Sequence, residues 1–113
     1  MKVVMYGIKN CDTVKKAIGH IQHMGHEIEF YDYKKTSPTE EQIARWAIDF
    51  GELPVNKKGT TYKKVSAEFE ALKTEKAKIK FMIENSSMII RPIIEDHKTQ
   101  KILAIGKSFE SIK

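Results

Sequence analysis

Residues 1–33 run strand, helix and strand signals together with almost no chain between them. Val3 to Tyr6 is short, apolar and rich in β-branched and aromatic residues, as a buried strand is. Gly7 ends it. Residues 11–24 carry Val14, Ala17, Ile18, Ile21 and Met24 on one helical stripe, with Asn10 placed to cap the start and Gly25 to close the end. Glu27-Ile28-Glu29-Phe30 then alternates, and Tyr31 and Tyr33 prolong the strand signal. Connections this short favour a right-handed βαβ unit with its two strands parallel.

The remaining chain fills out an α/β plan. Ser37-Pro38-Thr39-Glu40 predicts a helix start, with Ser37 as cap, Pro38 at the first helical position and Glu40 closing a capping box. Ile43, Trp46, Ala47 and Phe50 form that helix's apolar face. Residues 52–65 read as a loop, Ser66 to Leu72 as a short helix, and residues 74–85 as another. Met88-Ile89-Ile90 is strand material up to Arg91-Pro92. Residues 93–95 and 101–105 flank a polar loop as an antiparallel hairpin, and residues 107–112 turn Phe109 and Ile112 inward from a last short helix. The expectation is a single domain over residues 1–113, a mixed sheet with helices on both faces, and a helical insertion at about residues 35–85.

Composition removes several classes. At 41% apolar and 31% charged, 113 residues bury a real core and are neither disordered nor collagenous. The single cysteine excludes a disulfide framework within the chain and any zinc site built on paired cysteines. No apolar run is long enough to span a membrane, and residues 1–10 show no signal-peptide core, so a cytoplasmic monomer is expected. The net charge is +5, but only Arg45 and Arg91 are arginines, and the lysines are scattered. Without an RNP, zinc-finger or Gly-rich phosphate motif, direct nucleic-acid binding is not expected.

The sharp chemical feature is Cys11. It falls between the first strand and the first long helix, in the helix's opening turn. Unpaired backbone N–H groups and the helix dipole favour negative charge on sulfur there. Lys9 adds positive charge, and Thr13 could donate a hydrogen bond to the sulfur. Asp12 suits the dipole but opposes a neighbouring thiolate. A buried, inert cysteine is the competing reading, weakened by the polar neighbours Asn10, Asp12 and Thr13. One cysteine cannot cycle an internal disulfide, so an external thiol must resolve what Cys11 forms. Elsewhere, His20, His23, His26 and His97 read as solvent-facing, Met5, Met24, Met82 and Met88 as core fillers, and Trp46 as packing. No metal site and no bound cofactor are expected.

The pattern Tyr6-Gly7-Ile8-Lys9-Asn10-Cys11-Asp12-Thr13-Val14-Lys15-Lys16-Ala17 resembles the arsenate reductase family, which also includes Spx-like regulators. Val55-Asn56-Lys57-Lys58-Gly59-Thr60-Thr61-Tyr62 and Ile89-Ile90-Arg91-Pro92-Ile93 are similar in the same order, and the small YffB-like branch is the nearest form. The resemblance implies a thioredoxin-like fold with an inserted helical subdomain, Cys11 as the catalytic thiol, and Pro92 as a cis proline facing it. It matches Arg91 to one of the family's three oxyanion-binding arginines. Where the other two would fall there are only lysines: Lys57 and Lys58, and Lys107. Lysine supplies charge without the bidentate fork. The implied function is a thiol-dependent oxidoreductase with one reactive cysteine, coupled to glutathione or another thiol. Arsenate reduction with glutathione and glutaredoxin is one alternative. The other is a non-enzymatic Spx-like regulator that binds the RNA polymerase α subunit, although Val14 stands where many of that group carry a second cysteine.

Overall fold

The computed structural model describes residues 1–113 and resolves them into two compact units: residues 1–36 with 90–113, and residues 37–89. The first unit holds a four-stranded sheet of β1 (Lys2–Gly7), β2 (Glu27–Asp32), β3 (Ile93–Asp96) and β4 (Ile102–Ile105), in the order β2-β1-β3-β4. β1 and β2 run parallel, joined by α1 (Asp12–His23), while β1–β3 and β3–β4 are antiparallel. The βαβ start and the closing hairpin are therefore as the sequence reads.

Strand pairing sorts the side chains onto two faces. Val3, Met5, Ile28, Phe30, Ile94 and Ala104 share one face with Val14, Ala17 and Ile21 of α1, and with Phe109 and Ile112 of the final turn. Burying a side chain of this size contributes about 1.5–3 kcal/mol, so this cluster fixes α1 on the sheet. Val4, Tyr6, Ile93 and Glu95 lie on the opposite face, where Glu95 is a carboxylate only 1% exposed. The last helical piece, Gly106–Ser111, is a 3-10 helix.

The second unit is helical: α2 (Glu40–Phe50), α3 (Thr60–Ala71) and α4 (Glu75–Glu84). Its first cap differs from expectation. Thr39, not Ser37, is the N-cap, because its hydroxyl accepts from Gln42 N at 3.1 Å and Gln42 Oε1 accepts from Thr39 N at 2.9 Å. α3 begins six residues earlier than Ser66. The two threonines are weak helix formers, but Tyr62 packs edge-on against Phe69 at 6.3 Å and donates its hydroxyl to Glu70 at 2.8 Å. That packing overrides local propensity. Met88-Ile89-Ile90 is not a strand: Ser86–Met88 is a 3-10 turn, and Ile89 makes only an isolated bridge to Val55. Met88 and Ile89 are buried, and their apolar run reflects burial without a ladder.

The architecture is a mixed parallel and antiparallel sheet flanked by helices, a thioredoxin-like fold with a helical region inserted in the chain between β2 and β3. No helix is long and apolar enough to cross a membrane.

Candidate functional site

β1 ends at Gly7, and the chain turns through Ile8, Lys9 and Asn10 into α1. Cys11 N donates to Ile8 O at 3.2 Å and closes this turn. Cys11, not Asn10, is the N-cap residue, with φ −98 and ψ 126. Its carbonyl accepts from Lys15 N at 3.0 Å, but its side chain makes no capping hydrogen bond. Ser, Thr, Asp or Asn would normally fill that position and satisfy a first-turn amide. Cysteine leaves the N–H groups of Asp12, Thr13 and Val14 without helical acceptors. An anion on or near the sulfur is what such donors favour.

Cys11 is half-buried, packed against the α1 side of the core while still reaching solvent. Lys9, Asn10 and Asp12 are exposed, and Thr13 is half-buried.

Gly7 brings a second strand end close to this turn. A Cβ built on it would lie 2.8 Å from Val14 Cγ2 and 3.8 Å from Arg91 Cβ. Only a residue without a side chain lets β1 and Val14 in the first turn of α1 meet this closely, while Arg91 Cβ lies at ordinary contact distance from the same point. Arg91 is half-buried, and the Arg91–Pro92 peptide bond is cis, with Pro92 buried beneath it. Gly106 N donates to Pro92 O at 2.7 Å, fixing the segment from the other side.

Tyr33 and Glu95 were not legible as site neighbours. Tyr33 lies just past β2, where its amide donates to Gly7 O at 2.8 Å. Its ring is 2% exposed, and its hydroxyl donates to Ile90 O at 3.4 Å. Burial pushes the phenol well above the ordinary tyrosine range; Arg91 opposes that rise, while Tyr6 and Glu95 add to it. The hydroxyl is thus within electrostatic range of both Arg91 and Glu95. A tyrosine closing an alternating strand was the available signal for the first. A lone acid in the apolar run 88–95 was the signal for the second.

The other predicted residues have different settings. Lys57 and Lys58 are exposed in the second unit, between the Val55 bridge and α3. Lys57 lines a groove with Glu70 and Lys78. The Glu70 carboxyl is held below its ordinary range by the Tyr62 hydroxyl first, and then by Lys78 and Lys57 against its desolvation. Part of the charge of Lys57 is therefore answered locally. His20 and His26 are half-buried, not solvent-facing: their Nε2 atoms meet Ile112 O at 2.7 Å and Lys113 O at 2.8 Å. Met24 is 40% exposed at the α1 C-cap, so it is not a core filler. No group of three or more His, Cys, Asp or Glu side chains comes together as a metal site.

Residues 6–113 match the ArsC family. An uncharacterised protein of Haemophilus influenzae is 31% identical over 93 residues, spanning 81% of this chain and 82% of that protein. Among solved structures, a YffB protein is 34% identical with a TM-score of 0.79, covering 94% of this chain and 92% of its own. An ArsC-related protein from Brucella melitensis is 32% identical with a TM-score of 0.69, covering 94% and 87%. An arsenate reductase from Vibrio cholerae shares the fold at a TM-score of 0.82 and 22% identity, over 99% and 95%.

Proposed function

This chain belongs to the ArsC family, and on that premise we propose that it is a thiol-dependent reductase whose Cys11 attacks an arsenate-like oxyanion. The observation that carries the reading is the cysteine at the N-cap of α1, half-buried, its side chain making no capping bond at a helix end whose first amides lack helical acceptors. Arg91, whose Cβ lies 3.8 Å from where a Cβ on Gly7 would stand, supplies one positive charge for the substrate, and Lys9 adds a mobile one.

The thiolate is the nucleophile. Sγ attacks arsenic; an S–As bond forms, an As–O bond breaks, and the oxygen leaves as water after protonation. Arsenic is still pentavalent at this point. A glutathione thiolate then attacks Sγ. The S–S bond forms as the S–As bond breaks, and arsenic departs with the bonding pair as arsenite, two electrons richer. A second external thiol, on glutathione or glutaredoxin, opens this mixed disulfide and frees Cys11. Each arsenate reduced costs two external thiols, which end as one disulfide.

The test is turnover of arsenate by the full chain with glutathione and glutaredoxin, read as arsenite formed. Cys11→Ser should abolish it while leaving the fold intact by circular dichroism. Wild-type turnover no faster than the Cys11→Ser background would overturn the reading.

A further inference from the structure

We infer that Tyr33 is a positioning residue that holds Arg91 at the thiol, by tying the end of β1 to the segment that carries the arginine. This rests on the reading of Arg91 as the anion-binding group. Tyr33 touches both sides of the site by different means. Its backbone amide grips Gly7 O at 2.8 Å, four residues before Cys11. Its hydroxyl reaches Ile90 O at 3.4 Å, across 57 residues of chain and directly before Arg91.

The arginine's segment is anchored downstream by Gly106 N on Pro92 O and by the pairing of Ile93 with Tyr6. Tyr33 supplies an anchor on the upstream side. Its ring is 2% exposed, so the phenol cannot swing to solvent. The same hydroxyl lies in the field of Arg91 and of the buried Glu95. A shift of the backbone at Ile90 would therefore carry the adjoining Arg91 with it.

The experiment compares Cys11 alkylation by iodoacetate, an anion, with iodoacetamide, its neutral counterpart. The rate ratio reports positive potential at the sulfur and needs no arsenate chemistry. Arg91→Ala should lower the ratio about tenfold, the scale of losing one nearby charge. Tyr33→Phe keeps the ring and should lower it about threefold, part of that same single-charge effect. In the Arg91→Ala background, Tyr33→Phe should change nothing further, a non-additivity that general loosening of the fold would not produce. If Tyr33→Phe fails to fold, Tyr33→Met replaces it in the same cycle.

A ratio that falls with Arg91→Ala but not with the Tyr33 variant overturns the positioning role and leaves the arginine's role standing. Equal Tyr33 effects in both backgrounds also overturn it. A ratio indifferent to Arg91→Ala removes the arginine from the site, and the inference falls with it.

Discussion

The sharpest packing test is the same substitution at two glycines. At Gly7 an added Cβ would lie 2.8 Å from Val14 Cγ2 and 3.6 Å from Val14 Cγ1. Carbon atoms in contact ordinarily stay about 3.5–4.0 Å apart. Val14 is fully buried in the core cluster, and its β-branched side chain is stiff at χ1 in a helix, so it cannot step aside. Overpacking of this kind costs about 1–3 kcal/mol. The loss of unfolded-chain freedom on replacing glycine returns about 0.4–1 kcal/mol. Gly7→Ala should therefore destabilise by about 1–2 kcal/mol, a fall of about 4–8 °C in Tm for a chain of this length. Gly19 is exposed in the middle of α1, with nothing within 4 Å of a built Cβ. There Ala should stabilise by about 0.5–1 kcal/mol. Calorimetry and urea denaturation on both variants give the answer, and Gly7→Ala/Val14→Ala should fall short of the sum of its parts. If Gly7→Ala is as stable as wild type, the close approach of β1 to Val14 in the first turn of α1 is wrong.

Thr39→Ala should cost about 1 kcal/mol by removing the α2 cap, whereas Ser37→Ala should be neutral; thermal melts of the two variants decide between the caps. Alkaline pH offers an independent check on the buried phenol. The pKa of Tyr33 is higher folded than unfolded, chiefly through burial. Its contribution is fully present below the ordinary value of about 10 and is lost as pH climbs from there towards the folded value, by about 1.4 kcal/mol per pH unit. Urea stability measured from pH 9 to pH 11.5 should fall more steeply for wild type than for Tyr33→Phe. Parallel curves would mean that the phenol ionises freely in the folded chain.

Local signals carried the start and end of the chain because they depend on near neighbours. The β1–α1–β2 unit follows from period-2 and period-3.6 apolar spacing with glycines at the ends. The β3–β4 hairpin follows from two apolar runs around a polar loop. The errors came where a specific side-chain partner, near or distant in sequence, outvoted general preference. Thr39 displaced Ser37 because Gln42 was placed to reciprocate. Thr60 and Thr61 became helical because Tyr62 found Phe69 and Glu70. His20 and His26 were taken up by the carbonyls of Ile112 and Lys113, some ninety residues away.

For the site, the sequence alone determined that there is one thiol, that it stands where a strand hands over to a helix, and that a single arginine precedes the proline of the returning strand. Residue order and hydrophobic period suffice for that. Only the tertiary structure decided that Cys11 is the cap itself with its side chain uncommitted, that Gly7 admits Arg91 and Val14 to one point, and that Tyr33 spans from Gly7 to Ile90. Those are facts of distance between segments far apart in the chain, 57 residues for Tyr33 and Ile90 and more for Gly7 and Arg91. Such proximity is set by how the sheet and α1 pack, which no local pattern encodes.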